Sequence, residues 1–518
     1  MEKYDAIVVG GGHNGLISAA YLAKQGVKTL LLERRHLQGG ACVTEEISGA
    51  PGFRVSTGAA QLGNLRPQTV ADLELERFGY ELVSPDPLTV FPFPDGRYLA
   101  LWTDPAKTGA EFAKFSAKDA AAVPAYIADC MAVCDIVEPL LYADETCSLD
   151  TVDAAFRAAG RSDLFAGFVV GSMHDVLNDR FESAEIKAVL GYTATFGTNA
   201  DTRQPGTAYV MAHHMFGGTT GVRGRAVYVK GGMGGLADAL ARSAAHFGAT
   251  LRTDADVARI IVQDGVARGV ELANGERIDA AVVISNADPQ TTFLGLVGNE
   301  HLDDGFAAAI GKINVNGVAL KVNCAMEAQP VFTALPADIT PARVSLCPSP
   351  DYVDAAWAEA SRGQLSTNPY MTVHMQSVVD PSLAPAGKHT LTCYAQFFPY
   401  NLAPELGGWD AQRARAGEIV IDTVARYAPD IRDKIITTEV MSPHDLERVF
   451  GMNGGHQFHG DLMPGQLFDQ RPAPGCDGAR TPIDGLYLCG TGAHPGGCVW
   501  GAPGERAARA VAADMAGA

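Results

Sequence analysis

The chain opens on a short, unbroken apolar run, Ala6 to Val9, of the kind that forms a strand covered on both faces of a parallel sheet. A glycine-rich turn follows. Leu16, Ala19, Ala20, Leu22 and Ala23 then recur at helical spacing, which predicts a helix starting near Asn14. Gly26 closes that helix, and Val27 to Leu32 predict a second strand running into Glu33, which completes one βαβ unit. Farther along, residues 89–102 read as a hairpin turning at Asp95-Gly96. Residues 228–289 read as a glycine-initiated helix, a strand around Val257 and a hairpin turning at Asn274-Gly275. Helical spacing marks Ala120 to Leu141 and Ser183 to Thr195, and strands are predicted within 317–325, 370–379, 388–400 and 433–440.

The first unit carries chemistry as well as structure. Gly10, Gly12 and Gly15 form G-x-G-x-x-G: the first permits a tight turn, the second lets the backbone approach a pyrophosphate, and the third lets helix and strand pack closely. The free N–H groups at the start of the helix attract that pyrophosphate. Glu33, about 20 residues on, is the expected ribose carboxylate, and it would repel a 2'-phosphate. NADP is therefore disfavoured, and FAD or NAD remains.

Composition narrows the classes. A chain of 518 residues, 47% hydrophobic and 19% charged, should fold throughout and around more than one core. A net charge of -19 repels phosphate backbones, which excludes nucleic acid as an expected partner. No apolar run reaches the roughly 18 to 20 residues that span a bilayer, and a strand begins at once, without a signal peptide. The expectation is a cytoplasmic protein with no transmembrane segment, with a peripheral membrane contact left open. Ten scattered cysteines contain neither a C-x-x-C pair nor zinc-ligand spacing, so they read as reduced thiols, with Cys130 and Cys134 as buried packing. No metal site is expected.

Three segments carry a family resemblance: RRHLQGGACVTEE after Glu33, residues 228–289, and DGLYLCGTGAHPGGCVWGAPGERAARAVAADM at 484–515. Together they resemble the flavoproteins of the phytoene desaturase and amine oxidase superfamily, above all bacterial phytoene desaturases and the pyridine nucleotide-disulfide oxidoreductase domain-containing proteins. The resemblance implies FAD, bound non-covalently, with contacts from Gly10, Gly12, His13, Asn14, Gly15, Glu33, Arg34, Gly39, Gly40 and Ala41. It adds Val257 from the middle segment and Gly490, Thr491, Gly492, Gly497 and Val499 from the last. The implied fold class is α/β: a Rossmann-like FAD-binding domain of the glutathione reductase type (1–70, 222–300 and 478–518) beside a discontinuous mixed-sheet substrate domain with a helical cap (71–221 and 301–477). No second complete dinucleotide motif is present for NAD(P)H, and the missing C-x-x-C discards a disulfide reductase activity.

Two residues are expected at the reaction. Lys321 resembles the monoamine oxidase lysine that holds a water at flavin N5; read from its strand alone, it is a solvated lysine on a half-exposed face. His494 lies in the run that the resemblance sets beside the isoalloxazine. His456 and His459 read as loop structure, and Tyr394 and Phe398 as core packing. The expected activity is an FAD-dependent oxidoreductase of dehydrogenase or desaturase type. It would take a hydride from a small apolar, isoprenoid or alkene-bearing substrate and pass electrons to oxygen or a quinone. The alternatives are a flavin amine oxidase, a polyene isomerase working with reduced flavin and, weakest, a non-catalytic binder like the GDP-dissociation inhibitors.

Overall fold

The computed structural model describes residues 3–517, and two sheets organise them. In the first, β1 (Tyr4–Val9) pairs in parallel with β2 (Thr29–Leu32) on one side and with the long strand Arg277–Ser285 on the other. Thr250–Arg252 extends the β2 edge, and Leu486–Leu488 joins the far end of Arg277–Ser285, both in parallel. The near end of Arg277–Ser285 pairs antiparallel with Val266–Leu272, and that strand with Val257–Gln263, so the hairpin at Asn274-Gly275 is formed. The helix α1 (His13–Lys24) begins one residue before the expected Asn14 and packs its apolar stripe with the helices Met233–His246 and Ala502–Gly517. This is the Rossmann-like layer.

The second sheet runs Ile435–Met441, Ala319–Met326, His389–Gln396, Tyr370–His374, Arg343–Leu346, Thr89–Pro92, Tyr98–Leu101. It is mixed, because Arg343–Leu346 lies parallel to Thr89–Pro92 while its other pairings are antiparallel. Its two faces differ in chemistry. Leu320, Val322, Cys324, Val344, Leu391 and Cys393 form a core with Val420, Ile421 and Val424 of the helix Trp409–Ala425. The alternate positions, Lys321, Asn323, Arg343, Thr372, His374 and Thr392, are polar and yet buried, because this face is turned onto the rest of the protein. The half-exposed strand expected around Lys321 is thus corrected: both faces are covered.

Helices between residues 105 and 213 form the cap. Four of them start on a serine whose hydroxyl accepts a backbone N–H of the first turn: Ser116 from Asp119, Ser148 from Thr151, Ser172 from Asp175 and Ser183 from Ile186. Cys130, Val133, Cys134 and Val137 of Ala117–Tyr142 pack inward with Phe156 and Phe168. By length and composition alone this helix is apolar enough to cross a membrane, yet its inward face packs into the cap core, as the core helix of a folded domain does. Asp129, Asp135 and Glu138 interrupt its sequence, which hid it from a search for an unbroken apolar run.

Candidate active site

A cavity of about 470 Å³ runs from the glycine turn to the polar face of the second sheet. At one end α1 starts directly on Gly12 with no side-chain cap, so its first N–H groups lack intrahelical partners and His13 and Asn14 line the space. Gly10 takes a φ of +98°, a conformation that only glycine adopts freely, and a Cβ on Gly12 would sit 2.7 Å from Asn286 Nδ2. Glu33 lines the same end. Its carboxylate accepts the Gly11 and Arg35 backbone N–H groups, both at 2.8 Å, which fixes it beside the turn.

Gly40, Ala41, Val257, Thr491 and Val499 also line the cavity. So does Arg34, whose Nη2 donates to the carbonyls of Arg448 and Val449 at 3.2 and 3.0 Å and ties the end of the helix Pro443–Phe450 over the nucleotide half. Gly15, Gly39, Gly490, Gly492 and Gly497 stand one layer back and set the wall itself. A Cβ on Gly15 would meet Gly10 O at 2.2 Å, and one on Gly497 would enter the Phe458 ring, also at 2.2 Å. Gly39 N donates to Gly11 O at 2.8 Å, Gly490 lies against Asn286 O, and Gly492 lies against Pro289.

The donor set fits a dinucleotide. Both side-chain polar atoms of Asn14 and of Gln38, together with His13 Nε2 and Thr491 Oγ1, are buried with no partner among the described residues. A pyrophosphate, ribose and ring system would satisfy such groups. Replacing Glu33 with alanine is expected to weaken FAD binding by about 1.5 to 3 kcal/mol, the scale for losing a hydrogen bond to a charged group. Titration of apoprotein with FAD measures it, and an unchanged affinity would remove Glu33 from the site.

At the other end Lys321 lines the cavity, 1% exposed, with its Nζ donating to the carbonyls of Ser56 and Gly58 at 2.7 and 2.5 Å. Burial lowers its pKa to about 7 against the weaker pull of Glu439. Around it stand residues that sequence reading did not bring to the site. Gln61, Tyr192, Phe196, His214 and His374 line the cavity, as do Tyr394, which keeps its expected core packing against Met441 and Leu446, and His459, which stays on its expected loop. The Tyr394 and Phe196 rings stack at 4.5 Å, and Tyr394 Oη donates to Gln457 Oε1 at 2.6 Å. Only the alternation around Tyr394 and the histidine-bearing loop gave any signal; the others depend on chain crossings that no local pattern encodes. His456 and Phe398 stay as expected, one bonded to Asp461 at 2.9 Å and the other in the sheet core.

His494 does not line the cavity. It is buried behind the wall, where burial first, and then the Arg506 and Arg471 cations, hold its pKa well below the usual histidine value. Burial also keeps the lining histidines uncharged: His13 and His459 fall to about 4. Cys42 and Cys498 are pushed up to about 12, also by burial, so thiolate chemistry is disfavoured. Among the described residues no group of acids, histidines and cysteines could hold a metal ion.

Comparison with known proteins agrees with this geometry. The family described as flavin containing amine oxidoreductase matches residues 15–512. The chain is 38% identical to the pyridine nucleotide-disulfide oxidoreductase domain-containing protein 2 of Mus musculus, over 99% of this chain and 94% of that one. It is 28% identical to one of the limonene dehydrogenase subunits of Castellaniella defragrans, over 99% and 95% respectively. Among solved structures, an oxidoreductase from Methanosarcina mazei shares the fold with a TM-score of 0.62, at 18% identity over 99% of this chain and 100% of that one.

Proposed function

The chain belongs to the flavin-containing amine oxidoreductase family and takes FAD as its cofactor, and from that footing we propose that it is a dehydrogenase or desaturase acting on an apolar organic substrate. One observation carries the reading. Among the described residues that line the cavity, the carboxylates are Glu33 and Asp256, both at the nucleotide end, while the sheet end is walled by Tyr192, Phe196, Ala226, Tyr394 and Phe458. An ammonium brought there loses its hydration without gaining a counter-ion, a cost of about several kcal/mol. An alkene or saturated chain loses nothing of that kind and gains apolar burial. The limonene dehydrogenase relative supports the same substrate class.

Bound FAD supplies acceptance of two electrons and a hydrogen from a substrate C–H bond. The chain's own residues position and shield. The glycine turn, Asn14 and Glu33 would hold the nucleotide, the aromatic wall would orient the substrate and exclude water, and the uncharged histidines present no competing acid. Lys321 would place a titrating cation at the reacting end. Electrons would leave to oxygen or a quinone, and ten free thiols fit a reducing, cytoplasmic setting.

Anaerobic titration of the purified enzyme tests this. Limonene or another neutral alkene is expected to bleach the oxidised-flavin band, while benzylamine, NADH and NADPH leave it intact. Bleaching by benzylamine with every alkene inert would replace the reading with amine oxidation.

A further inference from the structure

One buried cation near the reacting end has no partner of opposite charge. Arg343 opens the strand Arg343–Leu346, directly opposite His374 in the ladder, so the two side chains share the polar face and His374 lines the cavity. Arg343 is 5% exposed. Its Nη1 donates to Gln61 Oε1, its buried Nε has no partner, and among the described residues it forms no ion pair. A guanidinium has five N–H donors, so one neutral amide leaves it poorly satisfied.

Three other buried or half-buried arginines are treated differently. Arg413 pairs with Asp445 and Arg66 with Glu505, while Arg471 is caged by backbone carbonyls. Gln61 itself lines the cavity, so the Arg343 fork is one flexible amide away from the space where a substrate would lie. Lys321 adds a second cation on the same sheet face, and both cations act on the His374 ring between them. A corner of this kind repels ammonium and attracts an anion.

We propose that the substrate carries a carboxylate at one end of its apolar body, and that Arg343 receives it, the carboxylate taking the place of the Gln61 amide oxygen. The planar fork matches the two oxygens of a carboxylate in a bidentate pair. A diphosphate would bring more negative charge than one fork can balance, so a carboxylate fits better. The proposal rests on the apolar-substrate reading and refines it from a hydrocarbon to an apolar acid.

The test uses the FAD-loaded enzyme and the perturbation of its flavin spectrum, with geranate and cinnamate titrated beside their methyl esters. Each acid is expected to bind at least about tenfold more tightly than its ester, the scale of a charge-assisted bidentate pair. Two variants should abolish that preference. Arg343→Met removes the fork, and Gln61→Glu fills it with an internal carboxylate while keeping the shape of the wall, so the experiment survives if Arg343→Met folds poorly. In both, affinity for the acids is expected to fall about tenfold further than affinity for the esters. Survival of the acid preference in Gln61→Glu overturns the proposal. Esters that match their acids in the wild type overturn the carboxylate alone. Silence from acids and esters alike, with a response to benzylamine, overturns the apolar reading and this proposal with it.

Discussion

Replacing Arg471 with methionine is expected to cost about 3 to 5 kcal/mol of stability and to leave the protein largely without flavin. The side chain is 2% exposed, and its guanidinium donates to the carbonyls of Phe458, Gly460, Asp461, Gln466 and Thr491. Those acceptors belong to two segments that the guanidinium ties together: the loop bearing Phe458 and His459, and the turn after Leu486–Leu488 bearing Thr491, all three of which line the cavity. Burial lowers the Arg471 pKa to about 10, which still leaves the group charged at neutral pH. Methionine supplies the bulk and none of the donors. Each stranded carbonyl costs about 1 to 3 kcal/mol, and relaxation that lets water reach some of them reduces the sum to the stated range. Against a typical total of about 5 to 15 kcal/mol, that is a large fraction. Denaturant unfolding and the flavin-to-protein absorbance ratio measure both effects. A change under about 1 kcal/mol with full occupancy would show that the carbonyls find other donors.

The parts of this molecule that were legible in the sequence are those fixed by neighbours along the chain. The βαβ unit could be read because Ala6 to Val9, the three glycines and the α1 stripe act within about thirty residues, where strand and helix periods leave a direct mark. The turn at Asp95-Gly96 could be read for the same reason, and Gly96 takes a φ of +85°. Lys321 was placed on the correct strand and face, but its burial was not legible, because the covering layer of Ser56 and Gly58 lies more than 250 residues away. Arg343 left no trace at all: its meaning lies in Gln61 and His374, brought together by strand pairing and a loop. His494 shows the opposite error, since a motif located its segment without fixing which side chains turn toward the cavity.

Lys321→Met is expected to act on pH dependence before it acts on anything else. The lysine is held near 7 in the folded protein against 10.5 in the unfolded chain, because burial disfavours the ammonium. Between those values the unfolded chain binds a proton that the folded chain does not, so the stability of the wild type rises with pH through this window and is lowest below 7. Methionine has no such linkage. From pH 7 to about pH 9 the wild type should therefore gain about 2 kcal/mol relative to the variant. At pH 7 the variant strands two carbonyls, Ser56 O and Gly58 O, at about 1 to 3 kcal/mol each, and escapes a charging cost of about 4 kcal/mol, so the two effects largely offset and the stabilities should differ by no more than about 2 kcal/mol. The second effect is on turnover. Lys321 would set a positive charge at the end of the cavity where negative charge collects on a reduced flavin, and Coulomb attraction there is worth more than in water. Stopped-flow mixing of photoreduced enzyme with oxygen should show reoxidation at least about tenfold slower in the variant, equivalent to about 1.4 kcal/mol of barrier. Because the ammonium form does the work, the wild-type rate should fall as pH rises through about 7, while the variant rate stays flat. Equal rates with equally flat profiles would leave Lys321 as a tie between the second sheet and the Ser56–Gly58 loop and nothing more.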